Sequence, residues 1–232
     1  MTLFPLTELE VNALLLSLKV AFWSVLCSLP FGVALAWVLS RLRFPGQSLL
    51  DCLLHLPLVL PPVVIGYLLL VGLGRNGVIG KILYVYFGIS IAFTWKGAVA
   101  ASAVMAFPLL VHTVRLSLDA VDTRLEMAAR TLGAGPWRVF FTITLPLAVP
   151  GIIAGMVLAF ARSLGEFGAT ITFVSNIPGQ TQTLPLALYT MTQVPKGEDA
   201  AMRLCFIAVV IALLALMGSE WLGRRFARHI EG

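Results

Sequence analysis

The chain of 232 residues is short of charge, with Asp, Glu, Lys and Arg at 12% against 59% hydrophobic residues. Its mean hydropathy of +0.96 excludes an ordinary soluble domain, in which about a quarter of residues are charged. Cysteine is scarce too: Cys27, Cys52 and Cys205 lie in or beside apolar runs. They lack metal-ligand spacing, imply no disulfide, and read as small core residues. His55, His112 and His229 are scattered and form no zinc-binding pattern. The stretch Arg75-Asn76-Gly77-Val78-Ile79-Gly80-Lys81-Ile82 lacks the first glycine and the Ser/Thr of a phosphate-binding loop. The chain is therefore expected to bind no nucleotide, metal or other cofactor. No glycine-flanked serine or other catalytic constellation is present, so it is not read as an enzyme. The formal charge of +5 is spread over loops and span ends without a dense run, which excludes a nucleic-acid partner. No repeat of about twenty to fifty residues and no second, soluble domain is visible.

What is present is a series of apolar runs. Five are long enough to cross a hydrocarbon core, which takes about twenty residues: roughly Val11–Ser40, Asp51–Leu73, Ile91–Leu116, Leu147–Val174 and Met202–Leu222. The first has no basic lead-in and is too long for a cleaved signal peptide. The expected fold is an all-α polytopic membrane bundle, a single domain over residues 1–232 with lipid as its surroundings. Lys81–Phe87 is too short to span, is rich in aromatics, and is expected to lie on the membrane surface.

Basic residues set the orientation. Arg41, Arg43, Arg115, Arg124, Arg130, Arg138, Arg224, Arg225 and Arg228 fall on one side, against Lys19, Arg75, Lys81, Lys96, Lys196 and Arg203 on the other. The positive-inside rule then places the N-terminus outside and the C-terminus in the cytoplasm.

Two spans are not plain lipid-facing helices. The second contains Leu56-Pro57-Leu58-Val59-Leu60-Pro61-Pro62, and each internal proline removes a backbone donor and clashes with the preceding turn. A helix broken around Pro61 and Pro62 lines a substrate path or is a packing kink. The fourth carries Arg162 and Glu166. On a helix starting near Pro150 they lie roughly 18 and 24 Å along the axis, on one face. Charges at that depth face a bundle interior and pair. They serve either a gate or anion path, or helix orientation alone. Gly151-x-x-x-Gly155 reads as a packing face.

Between spans three and four, in a polar segment of residues 117–146, lies Glu126–Pro146, reading EMAARTLGAGPWRVFFTITLP. A short helix over Arg124–Leu132, held out of the bilayer by its charges, is suited to dock in a partner's groove and act as a lever. Gly133 and Gly135 would end it by allowing left-handed backbone, and Pro136 would stop it continuing. The segment is similar to the cytoplasmic coupling loop of ABC-transporter permease subunits, roughly E-A-A-x-x-x-G, about nine residues, then I-x-L-P. Ala128, Ala129, Gly133, Ile143, Leu145 and Pro146 fall in register. Met127 holds the glutamate position and Glu126 precedes it, a shift of about 100° on a helix, so that carboxylate's contact is not carried over.

The runs Phe44-Pro45-Gly46, Leu54 to Gly66 (LHLPLVLPPVVIG) and Ser163 to Ala169 (SLGEFGA) resemble the molybdate permease family of bacterial ABC importers. The resemblance covers nearly the whole chain. It implies the type I ABC importer permease fold in the bacterial inner membrane, with a homodimer bound to two cytoplasmic ATPase subunits and fed by a periplasmic molybdate-binding protein. ATP and magnesium would sit on the ATPase. Glu126, Ala128, Ala129, Arg130, Gly133, Gly135, Ile143, Leu145 and Pro146 would form the ATPase-coupling segment. Pro61, Pro62, Arg162 and Glu166 would line the path or gate. Sulfate and thiosulfate permeases are similar around Gly165–Gly168, but they tend to be longer and heterodimeric, so the length favours molybdate. A sulfate- or tungstate-type oxyanion permease is the alternative. A further one is an ATP-independent secondary transporter using Arg162 and Glu166 as a relay.

Overall fold

Thr7 opens the first helix, α1 (Glu8–Arg41), with a reciprocal cap. Its hydroxyl accepts from the Glu10 amide at 3.3 Å, and the Glu10 carboxylate accepts from the Thr7 amide at 2.7 Å. The computed structural model describes residues 6–195 and 197–230, with side chains as far as residue 218. Lys196, counted above among the outer basic residues, lies outside the described residues.

The described elements are all helical: α2 (Gln47–Val59), α3 (Pro62–Leu73), α4 (Val78–Phe87), α5 (Trp95–Asp119), α6 (Thr123–Thr131), α7 (Pro136–Val139), a π turn (Phe140–Thr144), α8 (Leu145–Leu164), α9 (Gly168–Val174), α10 (Leu184–Gln193) and α11 (Glu198–Ile230). Four helical stretches, Glu8–Arg41, Trp95–Asp119, Pro136–Leu164 and Glu198–Gly218, are long and apolar enough to cross a membrane. α2 and α3, bent by 113° at their break, pass the same test only when taken together, as a broken fifth span or a re-entrant loop. The expected all-α bundle of about five spans is what the chain forms.

The core sits where α1, α5 and α8 pack together through Leu39, Leu110, Val114, Leu118, Ala148 and Ile152. Close approach decides Gly151: a Cβ there would lie 2.1 Å from the Ser117 Cβ, so only glycine lets α8 meet α5. A second cluster joins α3, α5 and α9 around Ile65, Ala98 and Phe173. α11 rests on α8 and α10 and buries only 6% of its apolar window, as a lipid-facing span does.

Two expectations need correction, and one helix is new. The fourth span is not Leu147–Val174: its helix starts at Pro136 and stops at Leu164, and residues 165–167 separate it from α9. The cause is local, because Gly165 caps α8 with φ −89° and ψ 8° and Glu166 turns to cap the next helix. α10 (Leu184–Gln193), with Pro185 in its first turn and Pro195 two residues past its end, is a helix that the span reading did not include. The cysteines are not core residues: all three are free and exposed, because a small hydrophobe on a membrane helix is equally at home against lipid.

Candidate functional site

The two broken spans meet. α2 ends at Val59, Leu60 and Pro61 run extended, and Pro62 restarts the chain as the first residue of α3. Proline suits that position, where a helix needs no amide donor. Opposite lies the break between α8 and α9: a Cβ on Gly168 would be 2.7 Å from the Pro62 Cβ, and one on Gly66 would be 2.6 Å from the Ala169 carbonyl. The structure thus brings Pro61 and Pro62 beside the segment that carries Glu166. Ser24, midway along the 34-residue α1, shares a 2.8 Å hydrogen bond with Ser163, which puts this junction near the middle of the bundle.

Arg162 and Glu166 do pair, with Nη1 to Oε2 at 2.7 Å. They are not on one helix, since α8 has ended by Glu166. The carboxylate is 3% exposed, and its other oxygen accepts from the Ala169 amide at 2.9 Å. One side chain therefore neutralises a deep guanidinium and caps α9, satisfying backbone that a helix break leaves open.

The second candidate region is the polar loop. Asp122 caps α6 by accepting from the Arg124 amide at 2.8 Å. Gly133 has φ +85°, and the bonds Gly133 N–H to Arg130 carbonyl and Ala134 N–H to Ala129 carbonyl, both 3.0 Å, close the helix. That is the Schellman arrangement, with the left-handed residue just past the end. Gly135 is a correction: φ −68° and ψ 164° are ordinary extended values, and it precedes α7 without needing left-handed freedom. Within the closing motif, Ile143 lies in the π turn, Leu145 starts α8 and Pro146 follows. Pro146 has no amide to give and crowds the turn before it. The backbone widens there, and the Leu145 amide bonds five residues back to Phe140.

Glu126 is turned inward. It is 7% exposed, and its Oε1 accepts from Arg41 Nη2 at 2.8 Å and from the Thr144 hydroxyl at 2.8 Å. α6 and its surroundings expose apolar side chains among charged ones: Leu125, Met127, Leu132, Trp137 and Phe141 are exposed, Leu132 at 88%, beside exposed Arg124 and Arg138. Ala128, Arg130 and Gly133 are also exposed, while Ala129 is half-buried. Arg41 and Thr144, which hold the loop, went unnoticed in the sequence. Arg41 is 85 positions from Glu126 and was legible only as a basic residue at a span end. His55 and His112, read as unrelated, have ring centroids 6.0 Å apart. No group of three metal-binding side chains occurs among the described residues.

Residues 28–231 match the family of binding-protein-dependent transport system inner membrane components. The chain belongs to that family. It is a multi-pass inner-membrane permease component, a transport subunit in its class of activity. Over 219 residues it is 66% identical to the molybdenum transport system permease protein ModB of Escherichia coli strain K12, covering 94% of this chain and 96% of that one. Over 222 residues it is 60% identical to ModB of Haemophilus influenzae, covering 96% and 97%. A solved bacterial alginate ABC transporter, in complex with its alginate-bound periplasmic protein, matches with a TM-score of 0.74 at 18% identity, covering 94% of this chain and 80% of that one. At that identity the likeness speaks for the fold alone.

Proposed function

We propose that the chain is the membrane-spanning subunit of an ATP-driven molybdate importer, working as a homodimer with two ATPase subunits and a periplasmic molybdate-binding protein. The name of the relatives at 60–66% identity carries the substrate. The loop carries the coupling: a capped helix, clamped from behind through Glu126, presents Leu125, Met127 and Leu132 with exposed Arg124 and Arg130. Apolar side chains standing out of a charged end suit a protein groove. ATP binding by the partner favours one packing of the spans over another through differential affinity.

An oxyanion of charge minus two crosses such a bundle only if nothing on the way holds it. Arg162, already neutralised by Glu166, offers weak attraction rather than a trap, and Pro61, Pro62 and Gly168 supply two touching breaks at which packing can change. Selectivity would then rest largely with the periplasmic protein, which leaves tungstate and sulfate as the substrates to test beside molybdate. The N-terminus is periplasmic and the C-terminus cytoplasmic in this reading, because α6 and the basic ends of α1 and α5 share one side. A reporter fused after Arg225 is expected to be cytoplasmic and one near Lys196 periplasmic. The decisive experiment is reconstitution in vesicles: molybdate uptake that requires the co-purified ATPase, ATP and the binding protein supports the proposal. Uptake without any ATPase would establish the secondary-transporter alternative instead.

A further inference from the structure

α2 is poorly anchored for a half-span that leads into a gate: of its thirteen residues only Leu54 is buried. Besides the packing of Leu50 and Leu54, the contact of His55 with His112 and a hydrogen bond from Gln47 to the Leu39 carbonyl at 2.9 Å, an ion pair ties it to α5. Asp51 accepts both of its bonds from Arg115 Nη1 on α5, each at 2.9 Å. Arg115 also faces Asp119 at 3.9 Å. Asp119 accepts a hydrogen bond from Ser40, Ser40 accepts from Arg41 Nη1 at 3.1 Å, and Arg41 holds Glu126 of α6.

We infer that this chain of polar contacts is the positioning link between the ATPase-docking helix and the Pro61–Pro62 break, with Glu126 and Asp51 as its two ends. The inference rests on the proposed function and deepens it. Its elements are continuous: α6, the end of α1, the end of α5, and α2, which ends at the break touching Gly168. Its middle opens on a cavity of about 620 Å³ lined by Ser40, Arg115 and Asp119. There water weakens the pairs of Arg115 with Asp51 and Asp119, whose side chains are partly exposed, to well under the worth of a buried one. Such links contribute little stability. They set the register of one helix end against another, and a register with exchangeable partners suits an element that takes two positions.

The alternative is that each pair merely trims its own helix end, and a double-mutant cycle separates the two. In the reconstituted complex of permease, ATPase and binding protein, the readout is molybdate taken up per ATP hydrolysed. Glu126→Gln and Asp51→Asn are each expected to lower that ratio about tenfold, within the range seen for residues that link two sites. Together they are expected to lower it no further, because either break already disconnects α2. Two independent trims would multiply to about a hundredfold, as distant unlinked sites do. That result, or a ratio unchanged by either single variant, overturns the link. A second measurement needs neither transport nor ATPase: a nitroxide at exposed Val59, in a chain freed of Cys27, Cys52 and Cys205. Its mobility is expected to change on Glu126→Gln, and an unchanged spectrum counts against the link even where assembly or uptake fails. Absence of ATP-dependent uptake by the unaltered complex would instead defeat the proposed function.

Discussion

Of the three Arg–Glu pairs among the described residues, the third being Arg203–Glu10, two are chemically alike and structurally opposite. Arg162–Glu166 lies near mid-bundle and joins neighbours in sequence across a helix break. Arg41–Glu126 lies at the end of α1 and joins α6 to α1, with Thr144 of the π turn as a third party. The first carboxylate divides its oxygens between a cation and a helix amide, so it stabilises a local backbone shape. The second gathers donors from separate elements on one oxygen, so it fixes how those elements sit together. Buried charge thus does two jobs here, holding a hole in a span and hanging a loop on the bundle.

Removing Glu166 should have the largest effect. Glu166→Ala leaves Arg162 uncompensated and the Ala169 amide without its acceptor; breaking a fully buried pair costs about 3–5 kcal/mol, and the 28% exposure of the Arg162 side chain brings this one toward or below the lower figure. Little assembled permease is expected in detergent extracts, with no uptake. Arg162→Leu combined with Glu166→Leu should assemble better than either single alanine variant. Uptake by that double variant would show the pair to be structural, and assembly without uptake would show it to be part of the path. Assembly worse than both singles would refute the pairing.

At the loop the comparison is sharpened by Gly133→Val. A β-branched residue at φ +85° costs about 1–2 kcal/mol, enough to unwind the end of a nine-residue helix but not five spans. Normal membrane insertion with loss of uptake and of cross-linking from Met127 to the ATPase is expected. Wild-type uptake would show that the Schellman end is not needed for docking. Gly135→Ala, at an ordinary extended backbone, should leave both readouts near wild type.

The contrast also explains what the sequence could tell. A pair four residues apart is visible in one apolar run, and so are a helix ended by glycine and a double proline in a span. Each is written within a few positions. Glu166 as a cap was not visible, because one-turn spacing reads as an unbroken helix until Gly165 is seen to end it. Arg41, Thr144, Asp51 and Arg115 were out of reach for another reason: their partners are 18 to 85 positions away. Only packing brings those positions together. The apolar pattern gave the spans, yet α10 escaped because ten residues neither span nor alternate clearly.

An intermediate effect is expected where the two breaks touch. A methyl on Gly66 would press the Ala169 carbonyl at 2.6 Å, and overpacking of this kind costs about 1–3 kcal/mol. Gly66→Ala should therefore lower the thermal stability of the purified permease and slow uptake while leaving ATPase association intact. Unchanged stability would mean that α3 and α9 slide apart freely, and the junction would then be a loose seam instead of a fitted one.

The smallest effect tests whether mid-bundle polarity beyond the ion pair matters. Ser24 and Ser163 meet at 2.8 Å with both side chains buried, one residue from Arg162, and the Ser24 hydroxyl also reaches the Ala21 carbonyl at 2.9 Å. Hydrogen bonds between membrane helices are worth on average about 0.6 kcal/mol, since the separated helices find other partners. Ser24→Ala should then shift the unfolding temperature by no more than a few degrees, with uptake near wild type. A loss of uptake as large as that from Glu166→Ala would mean that α1 and α8 move against each other through this contact. Mid-bundle and loop would then no longer differ as described, because a pair of neutral hydroxyls would be relaying motion where only a fixed shape is expected.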